Sequence, residues 1–255
     1  MLSRRKGKNS RVLAAALSLA LLLSTGAFAQ PYSGERRYDG EHRNVIDGYV
    51  LGGFNVVTGW FIGEAGTYTR HLTDRWSVSA GEQVQFFKQL YSVDVMGTYR
   101  LPVGKTSLYF DGRLLFNRYD RWNVNEPIVN LSAYWETNYV DLRLGESLVS
   151  YHKMGVRNKY LENTDASYTE PLVMTFGIGV NIRPRSNPWN LGLFFRNYDH
   201  FYYENWNINW GVRFHATLNP RMKLYGEFDV RPAGSLSQLA TRYETSLKAG
   251  LHYVL

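Results

Sequence analysis

Cysteine is absent from the 255-residue chain, which excludes disulfide bonds and thiolate chemistry. Long apolar runs are also missing: after residue 30, no uninterrupted apolar stretch approaches the roughly 18 residues that indicate a membrane-spanning helix. Aromatic residues, by contrast, make up 15% of the chain. An exported soluble sandwich and a membrane-embedded β-barrel are the two fold classes that fit this composition.

The first 29 residues have the three parts of a secretory signal peptide. Five basic residues precede an apolar run over residues 12–23, and Ala27-Phe28-Ala29 forms a small-residue cleavage site. An N-terminal membrane anchor is the alternative, but the apolar run is short for a span. We therefore predict cleavage before Gln30, a polar periplasmic segment over residues 30–43, and a folded domain over residues 44–255.

Net charge argues against a nucleic-acid partner once the signal is removed. The whole chain has 29 Lys and Arg against 22 Asp and Glu, a formal net charge of +7. The predicted signal contains five of the basic residues and no acidic one, which leaves 24 against 22. A nucleic-acid-binding domain should keep a basic surface after processing, and this chain does not.

Alternation of apolar and polar residues is the strongest pattern in the mature chain. From Ile208 to Leu218 every even position is apolar, while the odd positions carry polar residues or glycine. Residues 172–183, 223–231 and 108–117 repeat the pattern, with Leu115 as an exception on the polar side. Such a period of two predicts strands that separate two different environments.

Eleven such strands can be counted, and a twelfth is expected between Val45 and Phe54, where glycines blur the alternation. Bacterial single-chain barrels have an even number of strands, so we predict twelve, with ten as the alternative. Short turns alternate with longer connections, which are expected at residues 117–126, 152–170, 199–205 and 231–241. Glu82 falls on an otherwise apolar face, and we predict a β-bulge or an error in the assigned register there. The predicted fold class is all-β: a closed, antiparallel, up-and-down transmembrane barrel.

The last strand carries a family resemblance. Tyr243, Leu247, Ala249, Leu251, Tyr253 and Leu255 share one face. This alternation resembles the C-terminal strand of bacterial outer-membrane β-barrels, which usually ends in Phe or Trp where this chain has Leu255. The resemblance implies location in the outer membrane, contact with its lipid, and recognition of this strand by the barrel-assembly machinery.

Charged residues of both signs lie on the polar faces and are candidates to line the lumen. Acidic and basic residues lie two apart on one face of three strands, where they can cross-link neighbouring strands. This favours a salt-bridged polar interior, whereas a water-filled solute pore is the alternative. The candidates are Asp111, Arg113, Asp141, Arg143, Arg213, His215, Glu227, Asp229, Arg231 and Lys248.

The sequence contains no complete catalytic motif. Outer-membrane phospholipases and deacylases place Ser two residues after a His, but Met154 occupies that position after His152. Asp199-His200, with Asp120, is the nearest match to the Asp and His of outer-membrane proteases. No cofactor or metal site is expected. The sequence predicts a non-catalytic barrel with a structural, small-solute transport or surface-interaction role; the alternative is a hydrolase of lipid or peptide with its site at the extracellular rim.

Overall fold

The structure is a computed structural model that describes residues 44–56, 59–86, 89–104, 106–153, 166–199, 202–203, 208–231 and 244–255. The predicted signal peptide and the segment 30–43 lie outside the described residues, so both stay predictions. Within the described ranges, no helix has the length and apolar character needed to cross a membrane.

Twelve antiparallel strands close into a single barrel, which confirms the predicted fold class and the count of twelve. Consecutive strands pair along the chain, except that β9 pairs with β12, and β1 pairs with β14 to close the barrel. A separate two-stranded hairpin, β10–β11, follows β9. The strands are β1 (Asn44–Asn55), β2 (Gly59–His71), β3 (Trp76–Gln85), β4 (Leu90–Val103), β5 (Thr106–Tyr119), β6 (Val124–Glu136), β7 (Val140–Lys153), β8 (Ala166–Asn181), β9 (Trp189–Arg196), β10 (Tyr198–Asp199), β11 (Tyr202–Tyr203), β12 (Asn209–Asn219), β13 (Met222–Arg231) and β14 (Glu244–Val254).

The alternation of the sequence becomes the two faces of this barrel. Trp210 and Phe214 are exposed on the outer face, whereas Arg213 between them is buried. Leu115, the apolar exception, points inward and is 3% exposed. Because the outward face is apolar and aromatic around the barrel, it matches the lipid-facing band of outer-membrane barrels.

The connections at the two ends of the barrel differ in length. One end, the short-turn end, has the tight turns that begin after β2, β4, β6, β8 and β12. The other, the long-loop end, includes residues 154–165, 197–208 and 232–243. The prediction of a long loop over residues 117–126 was wrong. Asn117 pairs with Glu126, and a single 3-10 turn at Asp120–Trp122 connects β5 to β6.

Two local predictions in the strands also need correction. Glu82 does not sit in a bulge, because β3 pairs with β2 and β4 without any shift of register. Its side chain faces outward instead. A register shift does occur between β7 and β8, at Ser147 and Val149, and β8 begins at Ala166 rather than near Leu172.

Candidate functional site

All ten lumen candidates lie on the inner face of the barrel. Nine of them are buried, and Glu227 is half-buried. The structure brings most of them into ion pairs. Among these candidates, only Arg231 and Asp229 pair two residues apart on one strand, whereas the other ion pairs join acids and bases on different strands.

Arg113 forms the most enclosed of these pairs. Its Nε donates to Asp94 Oδ2 at 2.8 Å, and its Nη2 lies 2.7 Å from the same oxygen. Both side chains are 1% exposed. Asp94 had not been predicted as a site residue, because the register between β4 and β5 cannot be deduced from alternation alone.

Asp111 and Arg143 connect β5 to β7 across the intervening strand. Arg143 Nη2 lies 3.6 Å from Asp111 Oδ2 and donates to Ser132 Oγ on β6 at 2.6 Å. Thr98 Oγ1 on β4 donates to Asp111 Oδ1 at 2.8 Å. Four neighbouring strands are thus joined on their inner faces by one network.

Arg213 spans the widest gap, from β12 to Asp141 on β7, with an Nη2 to Oδ2 distance of 2.5 Å. Gly179 on β8 and Gly192 on β9 lie beneath this bridge. A Cβ atom at Gly179 would be 2.6 Å from Arg213 Nη2, and one at Gly192 would be 3.0 Å from Arg213 Nε. These two glycines therefore leave the room that the bridge needs.

Asp141 also binds Arg185, which lies in the turn between β8 and β9 at the short-turn end. Arg185 is further held by Glu136 at 3.6 Å and donates to the Thr137 carbonyl at 2.9 Å. Burial opposes its charge, but the neighbouring Tyr134, Glu136 and Asp141 raise the pKa of Arg185 above its ordinary value.

Two further groups of charges occupy the wall formed by β12 to β14. Glu227 binds both Arg196, at 2.5 Å, and Lys248, at 2.9 Å. Arg231 lies 3.6 Å from Glu244 and 3.8 Å from Asp229. His215 is also buried on this wall, in β12.

An apolar cluster crosses the lumen between these charged groups. We call it the septum: Tyr49, Leu51, Phe61, Ala65, Leu115, Ile128, Val149, Val173 and Tyr225. Strand order places β1 opposite β7, β2 opposite β8 and β13 opposite β5. Because members from opposite walls belong to one cluster and each is less than 9% exposed, apolar side chains meet across the lumen at this level.

The long-loop rim holds a second group of polar residues, on the outer face. His152 on β7 lies opposite Ser167 on β8, and His152 Nδ1 is 2.9 Å from Ser167 Oγ. Asn125 on β6 lies opposite His152 on its other side. The phospholipase motif fails at His152, because Met154, which lies outside the described residues, occupies the position of the Ser. The hydroxyl beside His152 in the structure belongs to Ser167, fifteen positions away, and this pairing depends on the register shift between β7 and β8.

The nearest match to a protease site, Asp199-His200 with Asp120, lies only partly within the described residues. Asp120 forms an ion pair with Arg118 at 2.7 Å. His200 lies outside the described residues, and so does the side chain of Asp199. No group of three His, Cys, Asp or Glu among the described residues could hold a metal ion.

Comparison with known proteins identifies the fold but no family. No family model and no curated sequence matches the chain. The KdgM porin superposes with a TM-score of 0.53 at 11% identity, over 83% of this chain and 99% of the porin. The translocator domain of the autotransporter NalP from Neisseria meningitidis gives 0.53 at 16% identity, over 96% and 97%. An outer-membrane channel from Pseudomonas putida F1 gives 0.51 at 11% identity, over 89% and 100%.

The chain has the fold of bacterial outer-membrane β-barrels. Its apolar outer surface fits a membrane environment. At these identities the likeness covers the fold alone.

Proposed function

We propose that this outer-membrane barrel is closed by its own side chains and has a structural or surface-interaction role that requires no chemistry in the lumen. The septum is the observation that carries this proposal. Buried apolar side chains from opposite walls meet in the lumen, and the surrounding charged side chains form ion pairs with one another. Barrels of about this size lie between those filled by side chains and open porins.

Single-channel recording of the refolded barrel in planar bilayers tests the proposal. We expect no large, steady conductance from the unmodified protein. Phe61→Ala removes a septum side chain and should raise the conductance. Ile62→Ala is the matched control, because Ile62 is the next residue on the outer face and is exposed. Heat-dependent gel mobility would establish that each variant is folded.

A large and stable conductance from the unmodified barrel would overturn the closed-lumen proposal. A small-solute channel would then become the leading function, and one observation favours it as the second candidate. The lumen wall is polar along most of its length, as in porins, rather than apolar throughout. Under that alternative, Arg113→Gln should shift ion selectivity, because the charge would face water.

A further inference from the structure

A row of four polar residues crosses the outer face of the barrel at the long-loop rim. Arg118, Asn125, His152 and Ser167 lie opposite one another on β5, β6, β7 and β8. Their side chains share a face because the register shift at Ser147 and Val149 reverses the alternation of β8 beyond it. Without that shift, a residue of the other parity would lie beside His152.

After Arg118, the row continues with the Asn125 amide, the His152 imidazole and the Ser167 hydroxyl. The His152 imidazole is 2.9 Å from the Ser167 hydroxyl, and both residues are exposed. Asn125 is held in place from the far side, since Arg118 Nη1 donates to its Oδ1 at 3.0 Å. Arg118 is itself fixed by Asp120 at 2.7 Å. A nucleophile and a base within hydrogen-bond reach of it are the two parts of nucleophilic acyl transfer that this row supplies.

We propose that Ser167 and His152 form an acyl-hydrolase site on the outer face of the barrel, with an ester-linked lipid as substrate. The Ser167 oxygen attacks the ester carbonyl while His152 takes its proton. The carbon–oxygen bond to the alcohol breaks, and the alcohol leaves with the proton from His152. Water, deprotonated by His152, then cleaves the acyl-enzyme, which releases a fatty acid and restores the Ser167 hydroxyl.

A groove on the same outer face indicates where an acyl chain would lie. It has a volume of about 820 Å³, and its lining includes Leu131, Leu148 and Leu172. Leu148 is four residues from His152 along β7, about 13 Å in an extended strand. Gly97 and Gly112 also line it: a Cβ at Gly97 would meet nothing within 4 Å, and one at Gly112 only Leu131, at 3.6 Å. A side chain would fit at either position without a clash with the backbone. The open space at these two glycines therefore belongs to the groove.

The site depends on the outer-membrane location but not on closure of the lumen, so the two proposals can fail separately. Full-length protein refolded in detergent micelles would be treated with a fluorophosphonate probe and weighed as intact protein. We expect one adduct on the unmodified protein and none on Ser167→Ala. Thr169→Ala is the matched control and should keep the adduct, because Thr169 Oγ1 is 3.0 Å from Ser150 Oγ on the same rim without an imidazole partner. Equal labelling of Ser167→Ala, or no labelling of the unmodified protein, would overturn the proposal.

Hydrolysis of nitrophenyl esters separates the roles. His152→Gln should lower kcat/KM by about 10² to 10⁴, the range for loss of a general base. Gly112→Leu should raise KM for long-chain esters and leave short-chain esters unaffected, because only the long chain would enter the groove. Activity that survives in folded His152→Gln would contradict the assignment, whatever the conductance of the barrel.

Discussion

Arg113 and Glu146 are charged residues on opposite faces of the same barrel wall, and their surroundings differ. Arg113 is 2% exposed and held by Asp94 at 2.7 Å. Glu146 is exposed on the outer face, where its strand partners are Leu131 and Met174, and its carboxylate has no ionic partner among the described residues. On the inner face, an ion pair offsets the cost of burying a charge. On the outer face, a charge faces lipid and lowers the stability of the barrel.

The largest effect is expected from breaking the most enclosed inner pair. Arg113→Gln leaves the Asp94 carboxylate buried without its cation, and we expect a loss of about 3–5 kcal/mol in the free energy of unfolding. Urea titration of the refolded barrel measures it. Arg213→Gln is the matched control and should cost less, since Asp141 keeps Arg185. If both variants cost about 1 kcal/mol or less, the inner charges are solvated and the lumen holds water.

Placing a cation on the outer face should have the next largest effect. Val212 lies on that face, one residue before the buried Arg213. Val212→Arg should lower the unfolding free energy by roughly 2–4 kcal/mol, the cost of Arg near the middle of the lipid-facing band. Val212→Leu keeps the face apolar and should change little. Equal urea midpoints for the two variants would mean that the faces are assigned the wrong way round.

The architecture could be predicted because alternation is a local property of the chain. A strand such as Ile208–Leu218 has one apolar face whatever it pairs with, so the barrel and its even strand count followed. Asn44–Asn55 was harder to recognise, since its glycines weaken the pattern without breaking the pairing with β2 and β14. The 3-10 turn after β5 was mistaken for a loop because its polar residues look the same in either structure.

Site partners could not be predicted, since they depend on register. Parity placed Arg113 and Arg213 on the inner face, but it could not pair them with Asp94 and Asp141. The contact of His152 with Ser167 was further hidden by a bulge, which changes the parity of β8 at one point. A sequence motif relates residues along one strand, whereas these contacts join residues on different strands.

The smallest effect is expected from substitution of two adjacent residues that face opposite sides of the wall. The two substitutions should change the free energy of unfolding in opposite directions. Glu82 faces outward beside Gly66 and Val93, while Gln83 faces inward and accepts a hydrogen bond from Tyr49 at 2.9 Å. Glu82→Leu should raise the unfolding free energy by up to about 1 kcal/mol, because acidic residues on the lipid face cost less than Arg or Lys but still cost stability. Gln83→Leu should lower it by about 1 kcal/mol through the lost hydrogen bond. Urea titrations of the two variants provide the measurement, each serving as the control for the other. A loss of stability in Glu82→Leu would show that this carboxylate has a favourable partner in the membrane, and the contrast between the faces would then fail at this position.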